Sequence, residues 1–92
     1  MHGPDSPNQL DDRLLRLAPT DNVAVARTNL SAGESLRIGP EAIRLGRQIP
    51  LGHKVAVAPI PTGEKVLKYG APIGSATTAI GPGDHVHLHN LK

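Results

Sequence analysis

The sequence predicts a small, mainly β domain built from short strands and Pro/Gly turns. Two observations carry that expectation. Beyond residue 22 the apolar runs are at most five residues long, at 23–26, 36–38, 43–45, 54–57, 66–69 and 85–89, and Gly or Pro flanks them. A turn element also recurs four times, as Leu30-Ser31-Ala32-Gly33-Glu34, Ile49-Pro50-Leu51-Gly52-His53, Ile60-Pro61-Thr62-Gly63-Glu64 and Ile80-Gly81-Pro82-Gly83-Asp84. Each copy offers an apolar anchor, then a Gly free to take positive φ, often after a Pro that presets the turn.

Taken in order, residues 1–9 are rich in Pro, Asn, Asp and Gly and show no apolar periodicity, so a flexible tail is expected there, with His2 solvated in it. The folded domain is expected over 10–92. Leu10, Leu14, Leu15 and Leu17 suit either one or two helical turns or a leading strand. Val23-Ala24-Val25-Ala26 follows the turn-forming Pro19-Thr20-Asp21-Asn22 and reads as a strand, and no helix of ordinary length is expected beyond Leu17. Consecutive glycines of the four turns lie 19, 11 and 20 residues apart, too uneven for a solenoid stacked at a fixed period. Gly70 and Gly74 are expected to serve backbone geometry, and Tyr69 to fill the core or line a partner interface.

Composition narrows the function classes. Ninety-two residues fit one domain, so a large catalytic apparatus must come from elsewhere. With no Phe, no Trp and a single Tyr, the core is made of Val, Ile, Leu and Ala and stabilises modestly; association with another subunit, including a second copy of the chain, is expected to add to it. The absence of Cys excludes disulfides and thiolate metal sites. No signal-like segment or membrane-length apolar run is present, so a cytoplasmic protein without membrane contacts is expected. The net charge of +2 is spread along the chain and stacking aromatics are missing, which argues against nucleic-acid binding.

In an extended strand, His85, His87 and His89 share one face while Val86 and Leu88 share the other and pack inward. Same-face residues lie about 6.5 to 7 Å apart at their α-carbons, so two imidazoles can share a divalent ion whereas three in a row do not converge easily. The alternative is an exposed or hydrogen-bonded surface strand.

Four motifs in order, Asp21-Asn22-Val23-Ala24-Val25-Ala26, Ile49-Pro50-x-Gly52-His53-Lys54, Lys68-Tyr69-Gly70-x-Pro72-Ile73-Gly74 and His85-Val86-His87-x-His89-Asn90, resemble the SAF domain of the altronate and galactarate dehydratase family. The resemblance covers about residues 13–91 and implies a SAF-type β-clip fold. It implies a domain or small subunit of a sugar-acid dehydratase whose site is completed by a larger catalytic chain, and a divalent metal, iron or manganese. A separate small subunit, as in the related sulfolactate sulfo-lyase, and an N-terminal domain both fit. On the matching positions His85 and His87 are the expected metal ligands; His53, Lys54 and His89 are catalytic candidates; Lys54, Lys68 and Asn90 are candidates for binding the sugar acid. The bland alternatives are a turn side chain for His53, solvated strand-edge charges for the lysines and a cap or turn for Asn90. A non-catalytic SAF module that binds a carbohydrate acid or a protein is the alternative function.

Overall fold

Strands this short cannot bury a core alone, so they must be stacked against one another. The computed structural model describes residues 9–92, and among these it forms eight strands and no helix. They are β1 (Leu14–Leu15), β2 (Val23–Ala26), β3 (Ser35–Ile38), β4 (Glu41–Arg44), β5 (Lys54–Ala56), β6 (Lys65–Lys68), β7 (Ala71–Ser75) and β8 (His85–Val86). The mainly β expectation holds, and the segment after Leu10 resolves as a leading strand. The tail expected over 1–9, His2 included, lies outside the described residues except for Gln9, whose carbonyl accepts the Gly39 N–H at 2.7 Å.

β1, β2, β5 and β8 form one antiparallel sheet in that order, while β3–β4 and β6–β7 are separate two-stranded hairpins. Because neighbouring side chains leave a strand on opposite faces, the sheet feeds two cores. Ala24, Ala26, Val55 and Val57 join Leu36, Ile38 and Leu45 of the first hairpin region. Val23, Ala56 and Val86 join Val66 and Ala76 of the second. Burial on both faces explains the uninterrupted apolar reading of Val23-Ala24-Val25-Ala26, with both alanines facing the first core and Val23 the second.

The four Gly turns operate in pairs. Leu30 and Ile49 exchange two backbone hydrogen bonds of 2.8 Å, and Ile60 and Ile80 exchange bonds of 2.8 and 2.9 Å. Gly33, Gly52, Gly63 and Gly83 all have φ between 86° and 90°, where a side chain is strained. Each half of the domain is therefore one turn, one hairpin and a second turn. The one-residue difference between the 19 and 20 spacings coincides with the bulge at Val66/Leu67 in the second hairpin.

Three expectations are corrected. β8 stops at Val86 instead of running to residue 89, because the chain turns there: Asn90 N–H and Leu91 N–H both donate to the His87 carbonyl. Leu88 is consequently 84% exposed rather than packed inward. Tyr69 is 72% exposed and does not fill the core. It occupies φ 58° at the tip of the second hairpin, where the first hairpin has Gly39 at the same φ. The tip is held by the buried Asp21 carboxylate, which accepts the N–H groups of Tyr69 at 2.9 Å and Gly70 at 2.7 Å. β7 had no forecast, since Pro72 and Gly74 disguise it; it survives as a bulged partner of β6 alone.

Candidate functional site

Register builds the site. β5 and β8 pair with Lys54 opposite Val86 and Val55 opposite His85. Extending that antiparallel register by one step sets His53 against His87, and His53, Val55, His85 and His87 share one side of the two strands. Turn two delivers His53 immediately after Gly52, and turn four delivers His85 two residues after Gly83.

The result is a compact group of imidazoles. His53 Nδ1 and His85 Nε2 are 2.9 Å apart. The ring centroids of His53 and His87 are 4.6 Å apart, and those of His85 and His87 are 5.3 Å apart. His53, His85 and His87 each offer a ring nitrogen within 4.8 Å of the others. The sequence pointed to a His85–His87 pair with remaining ligands from outside the chain; the fold adds His53 as a third member. His89 does not join the group of three. It lies on the turn, exposed, with its ring 5.5 Å from His85.

The donor set fits a divalent metal. Two nitrogens 2.9 Å apart and each about 2.1 Å from one ion would subtend roughly 90°. Ligation requires neutral imidazole, and the surroundings favour that form at His85 and His87. Burial first, then the positive Arg47 and the neighbouring histidines, push His85 from 6.5 down to about 4. His87 is also lowered, by desolvation and then by His53 and Lys54. His85 Nδ1 is buried with no hydrogen-bond partner among the described residues, so the ring is held by packing and by its Nε2 contact with His53.

Asn90 is structural in a useful place. Its Oδ1 accepts the His87 N–H at 2.9 Å and its Nδ2 donates to the His85 carbonyl at 2.9 Å, fixing the backbone that carries both rings. With 5% exposure and both ends of its amide engaged, it is a clamp for the histidines. Lys54 is half-buried on β5, near enough to His87 to lower its pKa. Lys68 sits on β6 opposite Ala71 in the second hairpin, and no described contact joins it to the histidines.

A cavity of about 370 Å³ adjoins the cluster, lined by Arg47, Thr78, Asp84, His85, His89 and Asn90 among others. Arg47 escaped the sequence reading because it belongs to none of the motifs. The chain also reveals its kinship at this level, since residues 12–92 match the family described as altronate/galactarate dehydratase SAF domain. The chain belongs to that family. Altronate dehydratase of Escherichia coli is 38% identical over 78 residues, covering 85% of this chain and 16% of that protein. Galactarate dehydratase (L-threo-forming) of the same organism is 35% identical over 72 residues, 78% of this chain and 14% of the relative. The (2R)-sulfolactate sulfo-lyase subunit alpha of Chromohalobacter salexigens is 46% identical over 44 residues, 48% of this chain and 47% of the subunit. This SAF domain thus spans only a small part of the dehydratases it matches. Among the described residues, no helix is long and apolar enough to cross a membrane.

Proposed function

We infer that this SAF domain supplies the histidine half of the active site of a metal-dependent sugar-acid dehydratase. The enzyme is a hydro-lyase acting on an altronate- or galactarate-like acid, and a larger catalytic chain or domain completes the site. The single observation that carries this reading is the convergence of His53, His85 and His87, two of them kept neutral, in a chain of this family.

Dehydration removes the proton α to a carboxylate and expels the β-hydroxyl, so negative charge must be stabilised while a base and an acid act on opposite ends of the bond. Iron or manganese on His53, His85 and His87 would supply Lewis-acid stabilisation of that charge. The chain's own groups contribute positioning and proton handling. Lys54 adds positive potential beside His87 and favours a carboxylate there. Arg47 lies 3.4 Å from His89 Nε2, and a guanidinium can only donate, so Nε2 carries the lone pair and Nδ1 the proton. His89, exposed beside the cavity, can then offer Nδ1–H as a hydrogen bond to a departing hydroxyl, while the proton that turns it into water comes from an acid on the larger chain. A base on the opposite face of the substrate falls to the larger chain.

The test is reconstitution of the chain with the remaining portion of a family dehydratase, with Mn²⁺ or Fe²⁺ under reducing conditions. Formation of a keto-deoxy acid from galactarate or altronate should require both parts and be lost in His53→Ala and His87→Ala. Robust turnover by the isolated chain, or full activity of both variants, would overturn the reading.

A further inference from the structure

The metal centre leaves one strong cation without a task. Arg47 stands in the wall of the 370 Å³ cavity, and among the described residues the ion pairs join only Arg13 to Asp11 and Glu34. Among the described residues its one side-chain hydrogen bond is the long one to His89. Asp84, the acidic group of the wall, is tied into its own turn, where its Oδ2 accepts the Gly81 N–H at 2.8 Å, and its negative charge remains opposed to that of Arg47. Asn90 is likewise spent on the His85 and His87 backbone. The guanidinium, a planar fork of donors matched to carboxylate or sulfonate, is therefore the anion-binding group of the cavity, whose lining also includes Thr78.

Its position relative to the centre is informative. His85 belongs both to the imidazole cluster and to the cavity wall. The ring that touches Arg47, His89, is 5.5 Å from His85. A short acid with one charged end at the cluster has its other end in the cavity.

We propose that Arg47 binds a second anionic group of the substrate in this cavity and so selects doubly charged acids, such as dicarboxylic sugar acids, over singly charged ones. The proposal rests on the reading of the cluster as the acid-binding end of the site. Arg47 is then a specificity residue, distinct from the groups that hold metal or move protons. An exposed charge-assisted pair of this kind changes affinity by about tenfold.

The experiment is an NMR titration of the full chain, loaded with the diamagnetic divalent ion Zn²⁺ and free of EDTA, with galactarate, which has two carboxylates, and with altronate, which has one. Galactarate should shift the Arg47 Nε–H and the backbone amides of Gly46 and Ala79, and should bind about tenfold more tightly than altronate. Arg47→Gln, a surface change whose fold the same spectra verify, should erase the difference. Equal binding of the two acids, shifts confined to other residues, or a preference that persists in Arg47→Gln would each overturn the proposal. A parallel titration with Mn²⁺ alone, read as broadening at His53, His85 and His87, reports on the metal reading separately, so the two failures are distinguishable.

Discussion

Acidification from pH 7.5 to pH 5 in the presence of a chelator should destabilise the domain by about 2 kcal/mol, through His85. Its pKa is 6.5 in the unfolded chain and about 4 in the fold, because burial and the adjacent Arg47 and histidines oppose a positive ring. Above pH 6.5 neither state binds the proton and the stability is intact. Between 6.5 and 4 the unfolded chain takes up a proton that the folded chain refuses, so stability falls as pH falls. Below 4 both states are protonated and the full loss, about 3 kcal/mol, has been incurred. His87, lowered by the same kinds of neighbour, acts in the same direction. Asp11 does not blur the window: its carboxyl, held well below 3.8 chiefly by Arg13, loses its contribution only in stronger acid. Urea unfolding followed by circular dichroism reads the effect. With a slope of about 1 kcal/mol per molar urea, the midpoint should drop by about 2 M between pH 7.5 and pH 5. A midpoint constant over that interval, or an equal drop in His85→Gln, would refute the argument that these imidazoles are kept neutral by the fold.

Other consequences are equally direct. A Cβ at Gly83 would lie 2.6 Å from Ile43 Cγ2 at φ +90°, whereas at Gly52, with φ +86°, it meets nothing within 4 Å. Gly52→Ala should therefore cost about 1 to 2 kcal/mol for the dihedral, and Gly83→Ala about 2 to 4 kcal/mol once the clash is added; equal thermal shifts would contradict the packing. Asn90→Ala removes both bonds to the histidine backbone and should cost about 1 to 3 kcal/mol while weakening Mn²⁺ binding, and unchanged Mn²⁺ affinity would deny it the clamping role. Tyr69→Gly should leave the isolated domain as stable as before or stabilise it by up to about 1 kcal/mol, since it relieves a non-Gly residue at φ 58°; a marked loss in calorimetry would show that the exposed ring contributes to the fold.

Local chemistry was legible in the sequence, and long-range register was not. The four glycines announced their turns because positive φ is a single-residue property, and all four adopt it. Val23-Ala24-Val25-Ala26 announced a buried strand by its composition. The pairing of β5 with β8 joins residues about thirty positions apart, and nothing local to His53 signals that it will face His87. Alternation in His85-Val86-His87-Leu88-His89 suggested a longer strand, but alternation describes a strand without saying where it ends. Asn90, accepting from the His87 N–H, ends it and leaves Leu88 outside. Arg47 had no local signature at all; only the fold shows it in the cavity wall, without an ionic partner among the described residues. Of the two places expected for Tyr69, the core is ruled out because a hairpin tip held by Asp21 turns the ring outward.

The central claim is that His53, His85 and His87 form one divalent-metal centre from which His89 stands apart. Calorimetric titration of the isolated chain with Mn²⁺ alone tests it most directly. One equivalent should bind, His53→Ala and His87→Ala should each weaken it by at least about tenfold, as loss of a ligand exceeds loss of an outer-shell partner, and His89→Ala should leave it unchanged. Wild-type affinity in His53→Ala, or a loss confined to His89→Ala, would contradict the centre that the register of β5 and β8 assembles.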